Sequence, residues 1–185
     1  GAGGSTQVIR SETEKWFPCA NCKDGQLFYN VRPSRKNNWQ IWSLNSSGLL
    51  PTQLKEGIRP KVSPDGSKIV FCRKSWRGDN RNIWVVNSDG TGLTQLTNNP
   101  DCDDKDPTWS RGGNYILYSS NQGKDSNGNP NYDIWIMDVY SGMKTQLTTN
   151  GSHDELPQID PSRKYIYFLS NRGFHWNIWR MRVTR

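Results

Sequence analysis

Apolar residues along this chain come in short runs separated by turn-forming residues. Ile69-Val70-Phe71 is flanked by Asp65-Gly66 and Arg73-Lys74, and Ile116-Leu117-Tyr118 follows Gly112-Gly113. Runs of this kind, rich in β-branched and aromatic residues and bounded by Gly, Asp, Asn and Pro, predict strands. No window places apolar residues at i, i+3, i+4 and i+7, so no helix is predicted.

The runs repeat. Ile-Trp occurs at Ile41-Trp42, Ile83-Trp84, Ile134-Trp135 and Ile178-Trp179, at intervals of 42, 51 and 44 residues. Upstream of each pair lies a segment with proline in second place: 17–29 (Pro18), 59–71 (Pro60), 106–118 (Pro107) and 156–168 (Pro157). Downstream of the first three comes Thr-Gln-Leu, at 52–54, 94–96 and 145–147. The second repeat shows the layout best. Strands are predicted at 60–63, 68–73, 82–87 and 93–97, with SPDGS (63–67) and NSDGTG (87–92) as hairpin turns. Four antiparallel strands in each 42–51 residues mark a propeller blade.

The fourth repeat reaches Arg185 without a Thr-Gln-Leu of its own, while Thr6-Gln7-Val8-Ile9 matches that element. The expected fold is therefore all-β: a four-bladed β-propeller of four-stranded antiparallel blades, its ring closed by the N-terminal strand, since an open array exposes apolar faces and strand edges. Residues 6–185 are read as one domain, and GAGGS (1–5) as a linker or cloning scar.

SPDGSKIVF (63–71) and NIWVVNSDGTGLTQLT (82–97) resemble the repeats of TolB-type (WD-like) propellers, and the likeness extends over about 6–185. The first repeat departs from it, with PCANCKDG (18–25) in place of the Pro-x-Trp-Ser-Pro-Asp-Gly pattern. Four repeats rather than six, and no separate N-terminal domain, also depart from TolB itself. The resemblance implies a periplasmic or extracellular binding platform, or a domain that gates a peptidase.

Composition adds to this. Nine tryptophans accompany a mean hydropathy of -0.88, as short strands and long polar loops would give. The net charge of +7 is scattered among acids, with no basic tail or recognition helix, so nucleic acid is not the expected partner. No apolar run approaches the roughly 18 residues of a membrane span, and no membrane insertion is expected.

Catalytic motifs are absent: no Gly-x-Ser-x-Gly, no His-Glu-x-x-His, no P-loop, and two histidines on different loops. Asp101, Asp103, Asp104 and Asp106 read as a solvated acidic loop beside Lys105. The spacing of Asp125, Asn127, Asn129 and Asp133 echoes half a calcium loop, but Pro130 and Ile136 stand where Gly and Glu are needed, so it is a weak calcium candidate. No cofactor or other metal is expected. An even cysteine count favours disulfides: Cys72 with Cys102, leaving Cys19 and Cys22 as a tight pair.

Propeller topology places the long loops on one face and the hairpins on the other. The hairpins, built largely from Gly, Asp, Ser and Pro, promise little apolar area. The loops carry Trp76, Arg77, Phe174 and His175, with Trp39, Tyr132 and Trp176 two residues before Ile-Trp, where packing between blades competes with binding. Tryptophan beside arginine suits an interface hot spot. The expectation is a non-catalytic module presenting its loop face to a protein partner. A carbohydrate-binding module and an accessory domain of a larger secreted hydrolase are the alternatives.

Overall fold

The computed structural model describes residues 14–20, 25–34, 38–45, 51–76 and 78–183. They form strands only, in four antiparallel sheets. The first sheet runs β1 (Glu14–Ala20), β2 (Leu27–Arg32), β3 (Gln40–Leu44), β4 (Thr52–Glu56). The second runs β5 (Ile58–Val62), β6 (Lys68–Lys74), β7 (Arg81–Asn87), β8 (Thr94–Gln95). The third runs β9 (Asp104–Trp109), β10 (Tyr115–Lys124), β11 (Pro130–Asp138), β12 (Lys144–Gln146), and the fourth β13 (Asp154–Ile159), β14 (Tyr165–Ser170), β15 (Asn177–Arg182). Each sheet holds one sequence repeat, and each packs on the next in chain order.

The Ile-Trp pair explains the stacking. Neighbouring strand residues point to opposite faces. Ile41 therefore packs forward with Phe28 against Ile69, Phe71 and Val86 of the second sheet, which Trp84 also joins. Ile83 packs forward on Trp109, Ile116 and Tyr118, joined by Trp135. Ile134 does the same with Ile166 and Phe168. These three isoleucines are fully buried, and each contributes roughly 1.5–3 kcal/mol of apolar burial.

Turn chemistry sets the hairpins. Gly66 and Gly90 take the positive φ that each Asp-Gly turn needs (78° and 88°). Asp65 accepts from Ser63 Oγ and from the Ser67 amide, and Asp89 accepts from the Thr91 amide and hydroxyl, so both turns are closed by side chains.

The proline element does something the sequence did not announce. All four pairings between the first and second strand of a sheet shift register at the residue pair ending in Pro18, Pro60, Pro107 or Pro157. Proline offers no N–H to a ladder, so a bulge accommodates it. In three sheets the residue before it, Arg59, Asp106 or Leu156, is left-handed (φ 56–58°). These three residues, with Pro18, Pro60 and Pro107, line a cavity of about 300 Å³ between the innermost strands, where Arg59 is ion-paired with Asp106.

The ring expectation has a mixed outcome. The fourth sheet has three strands among the described residues, and none of them packs face to face on the first sheet. Residues 6–9 lie outside the described residues. Ile178, the fourth member of a series whose other three are 0% exposed, is 75% exposed, because nothing described covers β15. Four propeller-like sheets are observed; a closed ring is not.

Candidate functional site

Repeat polar residues tie the loops of one face together. Thr97 and Thr148, which follow Thr-Gln-Leu, each accept the amide of the isoleucine on the adjacent strand at 2.9 Å, extending very short fourth strands by one side-chain bond. Asp104 and Asp154 stand three residues before the repeat proline, and both are buried. Asp154 accepts from Asn150 Nδ2 (2.8 Å) and Arg172 Nη2 (2.7 Å). Burial pushes Asp104 above the usual carboxylate range, against the hydrogen bonds from Ser120 and Thr97. In the first sheet Asn30 takes a related part, donating to the Gly57 carbonyl and accepting from the Arg59 amide.

Asp103 is the busiest member. Its carboxylate accepts from the Arg81 amide (2.7 Å), Nε (2.8 Å) and Nη2 (2.5 Å), and from the Tyr132 hydroxyl (2.6 Å). Burial would raise its pKa, but the bonds from Arg81 and Tyr132 outweigh burial and hold it below the usual range. The same bond raises the Arg81 pKa. Tyr132 is clamped further: Lys105 Nζ lies 3.6 Å from its ring centre, and its amide donates to His153 Nδ1. Tyr132 and Arg81 therefore pack between sheets, and Tyr132 is not a free contact residue. The acidic run is likewise not a solvated loop: Asp103, Asp104 and Asp106 are buried, and of the four only Asp101 is exposed. Counting back from Pro107 and Pro157 gives the signal, since Asp104 and Asp154 then share one position.

Among the other expected contact residues, Trp39 and Trp76 are brought together. Both line a cleft of about 520 Å³ between the first and second sheets, with Gly57 and Ile58 in its wall. Gly57 sits there because a Cβ would lie 2.4 Å from the Phe71 ring. Trp39 is half-buried under the Arg32 guanidinium (5.6 Å), whereas Trp76 is 86% exposed. Arg77 lies outside the described residues. Phe174, at a left-handed φ of 72°, is 99% exposed in the turn between β14 and β15, beside exposed His175 and Trp176. That group lies on the fourth sheet and does not line the cleft.

The calcium candidate does not converge. Asp125 is used up by its own turn, accepting from the amides of Asn127 and Asn129. Asp133 points inward and accepts from Gln146 and Thr148. Burial, with the nearby Asp154 charge, raises Asp133 to about 6 against those hydrogen bonds. Among the described residues no three His, Cys, Asp or Glu side chains gather as a metal site.

Cys72 and Cys102 are free thiols, so the expected bridge is not formed. Cys72 is taken up by the core, among Val70, Ile83 and Val85, and burial pushes its pKa to about 12. Burial, with Asp104 and Asp101 nearby, raises that of Cys102. Cys19 is also free and accepts the Val62 amide, while Cys22 lies outside the described residues. The hairpin face corrects a further expectation: Tyr140 (84% exposed) and Met143 (69%) give the turn between β11 and β12 real apolar area.

Known proteins share this architecture. No protein-family profile matches the chain. An uncharacterized protein of Agrobacterium fabrum is 29% identical over 122 residues, 66% of this chain and 39% of its own length. The Tol-Pal system protein TolB of Anaeromyxobacter dehalogenans is 31% identical over 110 residues, 58% of this chain and 24% of its own. The chain thus spans between a quarter and two fifths of the length of these relatives. A solved TolB-like structure from Agrobacterium tumefaciens superposes with a TM-score of 0.76 at 23% identity, covering 95% of this chain and 60% of that one. TolB of Acinetobacter baumannii gives 0.74 at 18% identity, over 95% and 43%. An acylaminoacyl peptidase of Pyrococcus horikoshii gives 0.63 at 13%, over 94% and 31%. With its Ile-Trp stacking, proline bulges and Thr-Gln-Leu strands, the chain is similar in sequence and in fold to the TolB-type β-propellers.

Proposed function

We propose that the chain is a non-catalytic platform of the periplasm or cell exterior whose loop face binds a protein. The observation that carries this reading is Trp76, 86% exposed beside a cleft in a scaffold that holds its loops through buried side-chain bonds. A tryptophan left in water is a poor use of apolar surface in a free domain, and a partner that covered it would gain roughly 2–3 kcal/mol. Relatives named as Tol-Pal system proteins support a protein as that partner. Closure of β15 by a Thr-Gln-apolar strand, with Thr6–Ile9 as the matching segment in this chain, belongs to the same reading.

A propeller neighbour that is a peptidase supports a second reading, an accessory domain beside a hydrolase. The test is Trp76→Ala. Partner capture should weaken by about 2 kcal/mol, a hot-spot effect, with the melting temperature unchanged. A lowered melting temperature would make Trp76 structural. Binding on a glycan array that Trp76→Ala abolishes would replace the protein partner with a carbohydrate.

A further inference from the structure

Resting on the loop-face reading, we propose that the cleft between the first and second sheets takes an acidic peptide segment, carrying an aromatic or aliphatic side chain between its carboxylates. Among the described residues, four cations, Arg32, Arg73, Lys74 and Arg81, line the cleft against two carboxylates, Glu56 and Asp79. Their pairings divide them by role. Arg81 is locked on buried Asp103 by two guanidinium bonds and its own amide, so it belongs to the scaffold. Arg73 meets Glu56 only at 3.8 Å, with both side chains more than a third exposed (35% and 47%). Lys74 meets Asp79 at 2.7 Å, but these side chains are 61% and 98% exposed.

Exposed pairs of this kind hold together weakly, so an incoming carboxylate can displace Glu56 or Asp79. Arg73 is already aimed by the Trp84 ring, 5.4 Å away, and Arg32 by the Trp39 ring. A guanidinium held over an indole is partly pre-organised, so Arg73 loses less freedom on taking a carboxylate. Trp39 and Trp76 supply the apolar wall for the side chain between the carboxylates. An acidic partner also suits a domain of net charge +7, whose field speeds the encounter.

The test uses fluorescein-labelled Glu-Glu-Phe-Glu-Glu with blocked ends, titrated by anisotropy at low ionic strength and again at physiological ionic strength. Lys-Lys-Phe-Lys-Lys is the control peptide. The double variant Arg73→Glu, Lys74→Glu should weaken the acidic peptide at least tenfold. Lys68→Glu with Lys164→Glu, two exposed lysines at the hairpin ends, makes the same charge change elsewhere and should leave it within twofold. Trp76→Ala should weaken the peptide several-fold at both salt concentrations. Equal losses in the two double variants would reduce the effect to net charge and overturn the proposal, as would no binding of the acidic peptide. If that peptide fails while Trp76→Ala still abolishes capture of a protein, the loop face binds but its occupant is not acidic. If both fail, the loop-face reading falls with the proposal.

Discussion

Asp103→Ala should be the most damaging single change on the loop face. Deleting this carboxylate leaves three Arg81 donors and the Tyr132 hydroxyl without their acceptor, at the join of the second and third sheets. Removing one partner of a fully buried ion pair costs about 3–5 kcal/mol. Here the side chains of Arg81 and Asp103 are 23% and 10% exposed, so water recovers part of the arginine's loss. The orphaned tyrosine hydroxyl adds about 1 kcal/mol. The expected loss is about 2–4 kcal/mol, which in a domain this size lowers the melting temperature by roughly 5–15 °C. Urea unfolding followed by tryptophan fluorescence at neutral pH measures it. A double-mutant cycle with Arg81→Ala should return a coupling of at least about 1.5 kcal/mol, because the residues share one bond set. A loss under about 0.5 kcal/mol, or additive single variants, would refute the claim that this network holds the loops. Asp103 also carries a pH signature. Its folded pKa is depressed, so its contribution is present above the unfolded value near 4 and is lost as pH falls through the lower folded value.

Asp133 works in the opposite sense. With a folded pKa of about 6 it binds a proton more readily folded than unfolded, so stability should fall as pH rises from about 4 to 6. Denaturation midpoints across that range should show a slope that Asp133→Asn flattens. Cys72 should resist a thiol reagent in the native protein and react only on unfolding, since its thiolate is suppressed and its side chain enclosed; fast native labelling would show that the second sheet opens readily.

The fold was legible because its signals are local and repeat. Ile-Trp, Asp-Gly and Thr-Gln-Leu each fix one strand or turn, and repetition at 42–51 residues names the architecture. In the second repeat, strands expected at 68–73 and 82–87 are found at Lys68–Lys74 and Arg81–Asn87. The bulges were not legible, since proline in second place marks a strand without saying that its predecessor turns left-handed. The acidic run was misread because charge density suggests solvent, whereas burial depends on partners such as Arg81, 22 residues away. The cysteine bridge failed for a related reason: sequence places Cys72 at the end of a strand but does not say which face it takes. Trp39 and Trp76 share the cleft because the first two sheets stack, which follows from the repeats, while its volume and charge depend on side-chain placement.

A protein partner is proposed to sit on the loop face around Trp76. A photo-crosslinking amino acid placed at position 76, and separately at position 89 on the hairpin face, tests it directly in a native extract. Trp76 is 86% exposed and Asp89 is exposed, so both probes face solvent, and replacing Asp89 removes only its own turn bonds to Thr91, which a melting curve of that variant checks. Irradiation should give a discrete protein adduct from position 76 and none from position 89. An adduct from position 89 with none from position 76 would place the partner on the opposite face and overturn the loop-face reading.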